Sequence, residues 1–208
     1  MEYRLNVVGI GPGSKGYVLP EALKAIENAK VLVGGKRALD GFAKDNQRCI
    51  TIGANLKIVI DEIKSELLHT DVVVMVSGDP GFHSMLVRLK KEFNDEQIKV
   101  VPGISSLQLA FARLNLPWQE ASLLSMHGKE QPKEKILYEK NKKLGLLTDS
   151  INTPAVIAEK LLDAGWPHES KGYVCANLSY PDEKIETFTL EDMLKAGSYN
   201  NCVVVVTD

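Results

Sequence analysis

The stretch Asp71-Val-Val-Val-Met-Val-Ser-Gly-Asp-Pro-Gly-Phe-His83 decides how this chain is read. Its apolar run, Val72 to Val76, stops abruptly at Ser77-Gly-Asp-Pro-Gly81. A strand with one wet face alternates apolar and polar residues. An unbroken β-branched run fits a strand buried on both faces, as in a parallel sheet. The glycines and proline that follow end the strand and turn the backbone sharply. In open α/β sheets ligands bind just beyond the carboxyl ends of the strands, so the segment predicts a small-molecule site and its location.

Two other stretches have the same form. A strand over Leu5 to Ile10 runs into Gly9-Ile-Gly-Pro-Gly13, and one over Ile98 to Val101 runs into Pro102-Gly103 and then a helix reaching about Leu114, with Ser105 or Ser106 as its cap. If the three strands are parallel, their turns lie on one edge of the sheet, where a single ligand can touch them all. Each turn alone also reads as plain punctuation. The first departs from a G-x-G-x-x-G dinucleotide fingerprint, because its third glycine comes one residue early and Pro12 has no N–H for a phosphate. At Ser77–Gly81, small residues either admit a ligand to the backbone or form an ordinary turn. Asp79 either binds ligand hydroxyls and amines or closes an Asx-turn.

Outward from these turns, strand and helix patterns alternate. Helical spacing covers Leu19 to Ala29 and Leu56 to Leu68, a short strand covers Val31 to Val33, and a helix is expected from about Met85 to Phe93. Asn115-Leu-Pro-Trp118 reads as a link, which divides the chain into an N-terminal α/β domain, residues 1–115, and a C-terminal one, residues 116–208. Beyond it, strands are expected over Ala121–Met126, Leu144–Thr148, Tyr173–Leu178, Ile185–Thr189 and Cys202–Thr207. Helices are expected over the charged tract Lys129–Lys143, over Thr153–Ala164 with Thr153 as N-cap and Pro154 at its first position, and over Leu190–Ala196. The fold class is therefore α/β, with a mostly parallel first sheet and a mixed second one.

Composition narrows the function. A chain of 208 residues with net charge −2 gives no general reason to expect nucleic-acid or membrane-surface binding. No apolar run approaches a membrane span and no signal-peptide pattern opens the chain, so the expectation is a cytoplasmic protein. Cys49, Cys175 and Cys202 are widely spaced and expected to be buried reduced thiols, and no Cys/His spacing predicts a metal site. No Ser/His/Asp order or carboxylate pair supports hydrolysis. His83 and His127 sit beside glycines, and Lys36, Arg37, Arg88 and Lys129 are candidates to hold substrate carboxylates or to be solvated surface.

The turns, in this order, resemble the tetrapyrrole methylase family. The segments that carry the resemblance are Val8-Gly-Ile-Gly-Pro-Gly13, Val76-Ser-Gly-Asp-Pro-Gly-Phe82 and Val101-Pro-Gly-Ile-Ser-Ser106. Ser125-Met-His-Gly-Lys129, Leu147-Thr-Asp-Ser-Ile-Asn-Thr-Pro154 and Val174-Cys-Ala-Asn-Leu-Ser-Tyr-Pro-Asp-Glu-Lys184 are similar to the branch of precorrin C5-methyltransferases of cobalamin biosynthesis. The resemblance spans essentially the whole chain. It implies two α/β domains with S-adenosylmethionine bound in a cleft between them, and a homodimer. By motif position it implies cofactor contacts at Pro12, Ser77, Gly78, Asp79, Phe82, Ser105, Ser106, Leu147, Ala176 and Asn177. Substrate contacts are expected at Gly11, Lys36, Arg37, His83, His127 and Lys129, with His83 or His127 the candidate to take a proton. The implied reaction is methyl transfer to C5 of a late precorrin or cobalt-precorrin. C15 methylation with decarboxylation is then left to a separate enzyme. The alternatives are a relative acting on RNA ribose or diphthamide, and a tetrapyrrole carrier without catalysis.

Overall fold

The computed structural model describes residues 3–128 and 131–208. The chain forms two compact units, Met1–Ser105 and Ser106–Asp208. In the first unit the order is β1 (Leu5–Gly9), α1 (Pro20–Asn28), β2 (Val31–Gly34), α2 (Lys36–Phe42), β3 (Arg48–Thr51), α3 (Leu56–Glu66), β4 (Val72–Val76), α4 (Leu86–Leu89) and β5 (Ile98–Val101). Among the described residues these strands make one sheet in the order β3-β2-β4-β1-β5, with every pairing parallel.

The position of β4 explains its composition. It lies between β2 and β1, and all its residues are buried. Successive side chains enter opposite layers, as strand geometry requires. Val72, Val74 and Val76 join Val59, Ile60, Ile63 and Phe93 on one face, while Val73 and Met75 join Ala22, Ile26 and Leu39 on the other. Burying each such side chain contributes roughly 1.5–3 kcal/mol before the cost of chain entropy. Pro20 opens α1, where its missing N–H costs nothing, and the Asn55 side chain accepts from the Lys57 amide to start α3.

The second unit contains α5 (Ser106–Arg113), β6 (Ser122–Ser125), α6 (Lys133–Ile136), β7 (Lys143–Leu147), α7 (Pro154–Asp163), β8 (Lys171–Ala176), β9 (Lys184–Thr189), α8 (Leu190–Met193) and β10 (Cys202–Thr207). Among the described residues the sheet order is β6-β7-β10-β8-β9, parallel at β6/β7 and antiparallel at the other pairings. One face packs on α7 and α8 through Leu144, Leu146, Val174, Val204, Ile157, Leu161, Leu190 and Met193. The other receives α5, since a Cβ at Gly145 would come 3.0 Å from Phe111 and 3.4 Å from Leu107. The expected boundary followed residue 115, whereas the compact units divide at Ser105/Ser106. The reason is that α5 packs on β7 and β10.

Three expectations need correction, and two elements were missed. Strand β3 and helix α2 were not anticipated. The tract expected as a helix from Lys129 is, where described, one helical turn at Lys133–Ile136. The Trp166 indole N–H donates to the Ile136 carbonyl at 2.7 Å and the Tyr138 amide to the Ala164 carbonyl at 3.1 Å, so the backbone bonds elsewhere instead of winding on. The helix expected over Met85–Phe93 is α-helical only at Leu86–Leu89 and continues to Phe93 as bonded turns. Cys49 is exposed, on edge strand β3, while Cys175 and Cys202 are buried.

Candidate functional site

Because β1, β4 and β5 are parallel neighbours, their carboxyl ends bring the three predicted turns together. The contact is backbone on backbone. Gly11 and Gly78 exchange amide hydrogen bonds, 2.8 Å from the Gly78 N–H and 3.3 Å from the Gly11 N–H. Both have φ near +70°, at +67° and +69°, where glycine carries no steric cost. A Cβ at Gly9 would lie 2.6 Å from the Gly78 oxygen and 2.7 Å from Gly103, and one at Gly103 would lie 2.2 Å from that oxygen. Glycine at positions 9 and 103 is thus required by the packing of the turns themselves.

Asp79 joins two of these turns. Its Oδ1 accepts from the Gly81 amide at 2.7 Å and its Oδ2 from the Gly103 amide at 3.0 Å. It therefore closes an Asx-turn, as one of the two readings has it, and it also holds the neighbouring strand end, which neither reading foresaw. Ser84 bonds the Pro80 carbonyl and receives the Leu86 amide at 3.1 Å, which ties the turn to α4. Phe82 is half-buried, with its ring edge-on to His83 at 4.6 Å between centroids. His83 is exposed and takes φ +50°. Ser77 is exposed, Pro12 half-buried and Ser105 buried. Lys36 and Arg37 are exposed in the first turn of α2, beyond the carboxyl end of β2 and so on the same sheet edge.

In the second unit, β6, β7 and β8 run in one direction, so Ser125, Leu147 and Ala176 end on one edge. Ala176 is buried, and Asn177 turns away with φ +49°, its amide donating to the Asn201 carbonyl at 3.1 Å and its side chain to Asp182 at 2.7 Å. The same loop is anchored by Glu183, which receives the Arg113 guanidinium at 2.6 Å and the Ser179 amide at 2.6 Å. The Arg113 hydrogen bond holds the Glu183 carboxyl below the usual range. His127 is exposed on the turn after β6, and Lys129 lies outside the described residues.

One residue missed from the sequence stands out at this edge. Asp149 accepts from the amides of Gly128, Ile151 and Asn152 at 2.7, 2.8 and 2.6 Å. The bond from Asn152, followed by that from Gly128, holds its carboxyl far below the ordinary value. The available signal was an acid just past a strand, with amides two and three residues on, the Asx-turn spacing. Burial raises the Cys202 thiol and pushes the Cys175 thiol up to about 12, so neither is a ready nucleophile. Among the described residues no group of three or more His, Cys, Asp and Glu could hold a metal ion.

Residues 4–194 match the Tetrapyrrole (Corrin/Porphyrin) Methylases. The chain is 34% identical over 207 residues to the probable cobalt-precorrin-7 C(5)-methyltransferase of Methanocaldococcus jannaschii, covering 97% of this chain and 96% of that protein. It is 31% identical over 204 residues to the cobalt-precorrin-7 C(5)-methyltransferase of Salmonella typhimurium, covering 98% and 99%. The crystal structure of the cobalamin biosynthesis precorrin-6Y methylase of Archaeoglobus fulgidus superposes with a TM-score of 0.74 at 25% identity, covering 99% of this chain and 97% of that one.

Proposed function

Because this chain belongs to the tetrapyrrole (corrin/porphyrin) methylase family, we propose that it transfers a methyl group from S-adenosylmethionine to C5 of a late precorrin or cobalt-precorrin in cobalamin biosynthesis. The observation that carries the reading is the cluster of three interlocked glycine turns at the carboxyl ends of β1, β4 and β5, with Asp79 bridging two of them. The substrate class comes from the two relatives named for C5 methylation, which align over nearly their whole lengths.

The chemistry of the turns fits this cofactor better than a phosphate ligand. The segment Ser77–Phe82 carries an acid and no base, and Pro12 has no N–H. Such a lining suits a cationic nucleoside rich in hydroxyl and amino groups. When bound, S-adenosylmethionine supplies a methyl group on an electrophilic sulfonium. The protein's part is to hold the methyl carbon in line with the accepting carbon, which can be worth roughly 7–11 kcal/mol in favourable cases. In this proposal Pro12, Ser77, Gly78, Asp79, Phe82, Ser105, Ser106, Leu147, Ala176 and Asn177 hold the cofactor. Gly11, Lys36, Arg37, His83, His127 and Lys129 serve the substrate, the basic side chains by meeting its carboxylates, and His83 and His127 are the candidates to take a proton or to hold a propionate.

The proposal extends to a cytoplasmic homodimer whose C15-methylating, decarboxylating counterpart is a separate protein. No described helix is long and apolar enough to cross a membrane. The two relatives that support C5 chemistry are named for C(5) alone. The decisive experiment incubates the protein with S-adenosylmethionine and cobalt-precorrin-7 or precorrin-7. The expected product has gained one methyl group, located at C5 by NMR, with its carboxylates intact. No methyl transfer, or methylation at another carbon, would reject the assignment. Light scattering on a sizing column checks the dimer.

A further inference from the structure

The most heavily bonded carboxylate described in the second unit is that of Asp149, and it joins two loops. Gly128 belongs to the turn after β6, while Ile151 and Asn152 belong to the turn after β7, and all three amides donate to Asp149. Asn152 braces the same pair of loops. It is buried, its side chain donates to the Met126 carbonyl at 2.7 Å, and its oxygen receives Lys160 Nζ at 2.9 Å. Between these braces, Nδ1 of His127 lies 3.3 Å from the Thr148 carbonyl oxygen. A carbonyl only accepts, so Nδ1 carries the hydrogen and the neutral ring keeps its lone pair on Nε2. The loop after β7 also holds Ile151, whose amide is fixed on the carboxylate although the residue is 76% exposed. A large apolar side chain that is exposed and yet anchored at its backbone is suited to meet an apolar ligand surface.

We propose that Asp149 is a positioning residue for the methyl transfer: it locks the loops after β6 and β7 so that Ile151 meets the apolar ring of the macrocycle and His127 offers Nε2. The inference rests on the macrocycle substrate proposed above and deepens it by naming an apolar contact and the basic nitrogen. A tetrapyrrole-derived ring is apolar over its faces and carboxylated at its rim, so it needs apolar contacts as well as cations.

Two variants test this. Asp149→Asn keeps the shape but sets an amide NH2 against one of the N–H groups that the carboxylate receives. With cobalt-precorrin-7, kcat should fall about 100-fold, the scale of a misplaced reacting group, while the Kd for S-adenosylmethionine stays within about twofold. Amide exchange at Gly128 and Ile151 should rise by at least about tenfold. Ile151→Ser changes an exposed position, so its melting temperature should be unchanged while KM for the macrocycle rises about tenfold. The proposal is overturned by wild-type kcat and KM in folded Asp149→Asn, or by cofactor affinity falling in step with kcat. Wild-type KM in Ile151→Ser, or unprotected Gly128 and Ile151 amides in the native protein, would also overturn it. If the native protein transfers no methyl group to the macrocycle, the substrate reading falls and the positioning role with it. Exchange protection at the three amides would then still show whether the carboxylate locks the loops.

Discussion

Gly103→Ala tests the packing on which the candidate site depends. The added Cβ would sit 2.2 Å from the Gly78 carbonyl oxygen and 2.9 Å from both the carbonyl carbon and the Cα of Gly9. All three neighbours are backbone atoms, so no rotamer change relieves the clash. Restoring ordinary contact distances requires the strand ends to part by on the order of 1 Å. That movement also strains the Gly103 amide bond to Asp79 and the Gly11/Gly78 pair. Overpacking that side chains can absorb costs roughly 1–3 kcal/mol, and here about 3 kcal/mol or more is expected. For a unit of this size each kcal/mol lowers the melting temperature by about 4 °C or more, so a fall of at least about 12 °C should appear by calorimetry or circular dichroism. Gly16→Ala is the control: nothing lies within 4 Å of a Cβ there, and its stability should stay within about 0.5 kcal/mol of the parent. Cofactor titration of the surviving folded Gly103→Ala protein should show weakened binding. A variant that melts within about 3 °C of the parent and binds S-adenosylmethionine normally would refute the argument that the turns are locked by backbone contact.

Other outcomes follow from the same geometry. Asp79→Ala leaves the Gly81 and Gly103 amides without their acceptor, so calorimetric titration should show cofactor affinity reduced about tenfold or more with the pH dependence of turnover unchanged; the reverse pattern would make Asp79 an acid–base group. Glu183 titrates below its unfolded value because of Arg113. Its stabilisation is therefore present above the unfolded carboxylate pKa, roughly 4.3, and is lost as pH falls through the lower folded value. Arg113→Ala should then cost about 1 kcal/mol in urea unfolding at pH 7 and progressively less in acid, and a pH-independent difference would exclude the ion pair as the cause. Thiol labelling of the native protein should modify Cys49 alone, with Cys175 and Cys202 reacting only on unfolding; rapid labelling of all three would contradict the burial of the second sheet's thiols.

Much of the fold was legible where local chemistry and tertiary position agree. The Val72–Val76 run announced a central parallel strand because burial on both faces leaves no polar position. Thr153-Pro154 announced the start of α7, since the Thr153 side chain accepts from the Val156 amide and proline is suited to the first helical position. Strand β3 was not legible because it is an edge strand in which only Ile50 is buried, so its sequence carries no clear period. Helix α2 is short and has a single buried residue, Leu39, which leaves too little pattern to read. The charged tract after His127 invited a long helix by propensity, but bonds from Trp166 and Tyr138 to partners distant in sequence took its carbonyl and its amide. At the candidate site the three turns and Asp79 were visible as motifs. The Asp149 junction was not, because its partner Gly128 lies 21 residues away and nothing local marks that contact.

By itself the sequence determined the α/β class, the three glycine turns and the family. These follow from apolar runs, turn residues and short motifs, each confined to a few consecutive positions. Only the tertiary structure decided why those glycines are glycine, what Asp79 binds and which loops Asp149 joins. Parallel neighbours such as β1, β4 and β5 are far apart along the chain, and the contact of their ends exists only once the sheet has assembled. The space available to a Cβ, and the partner of a carboxylate oxygen, are properties of that assembly and not of any segment within it.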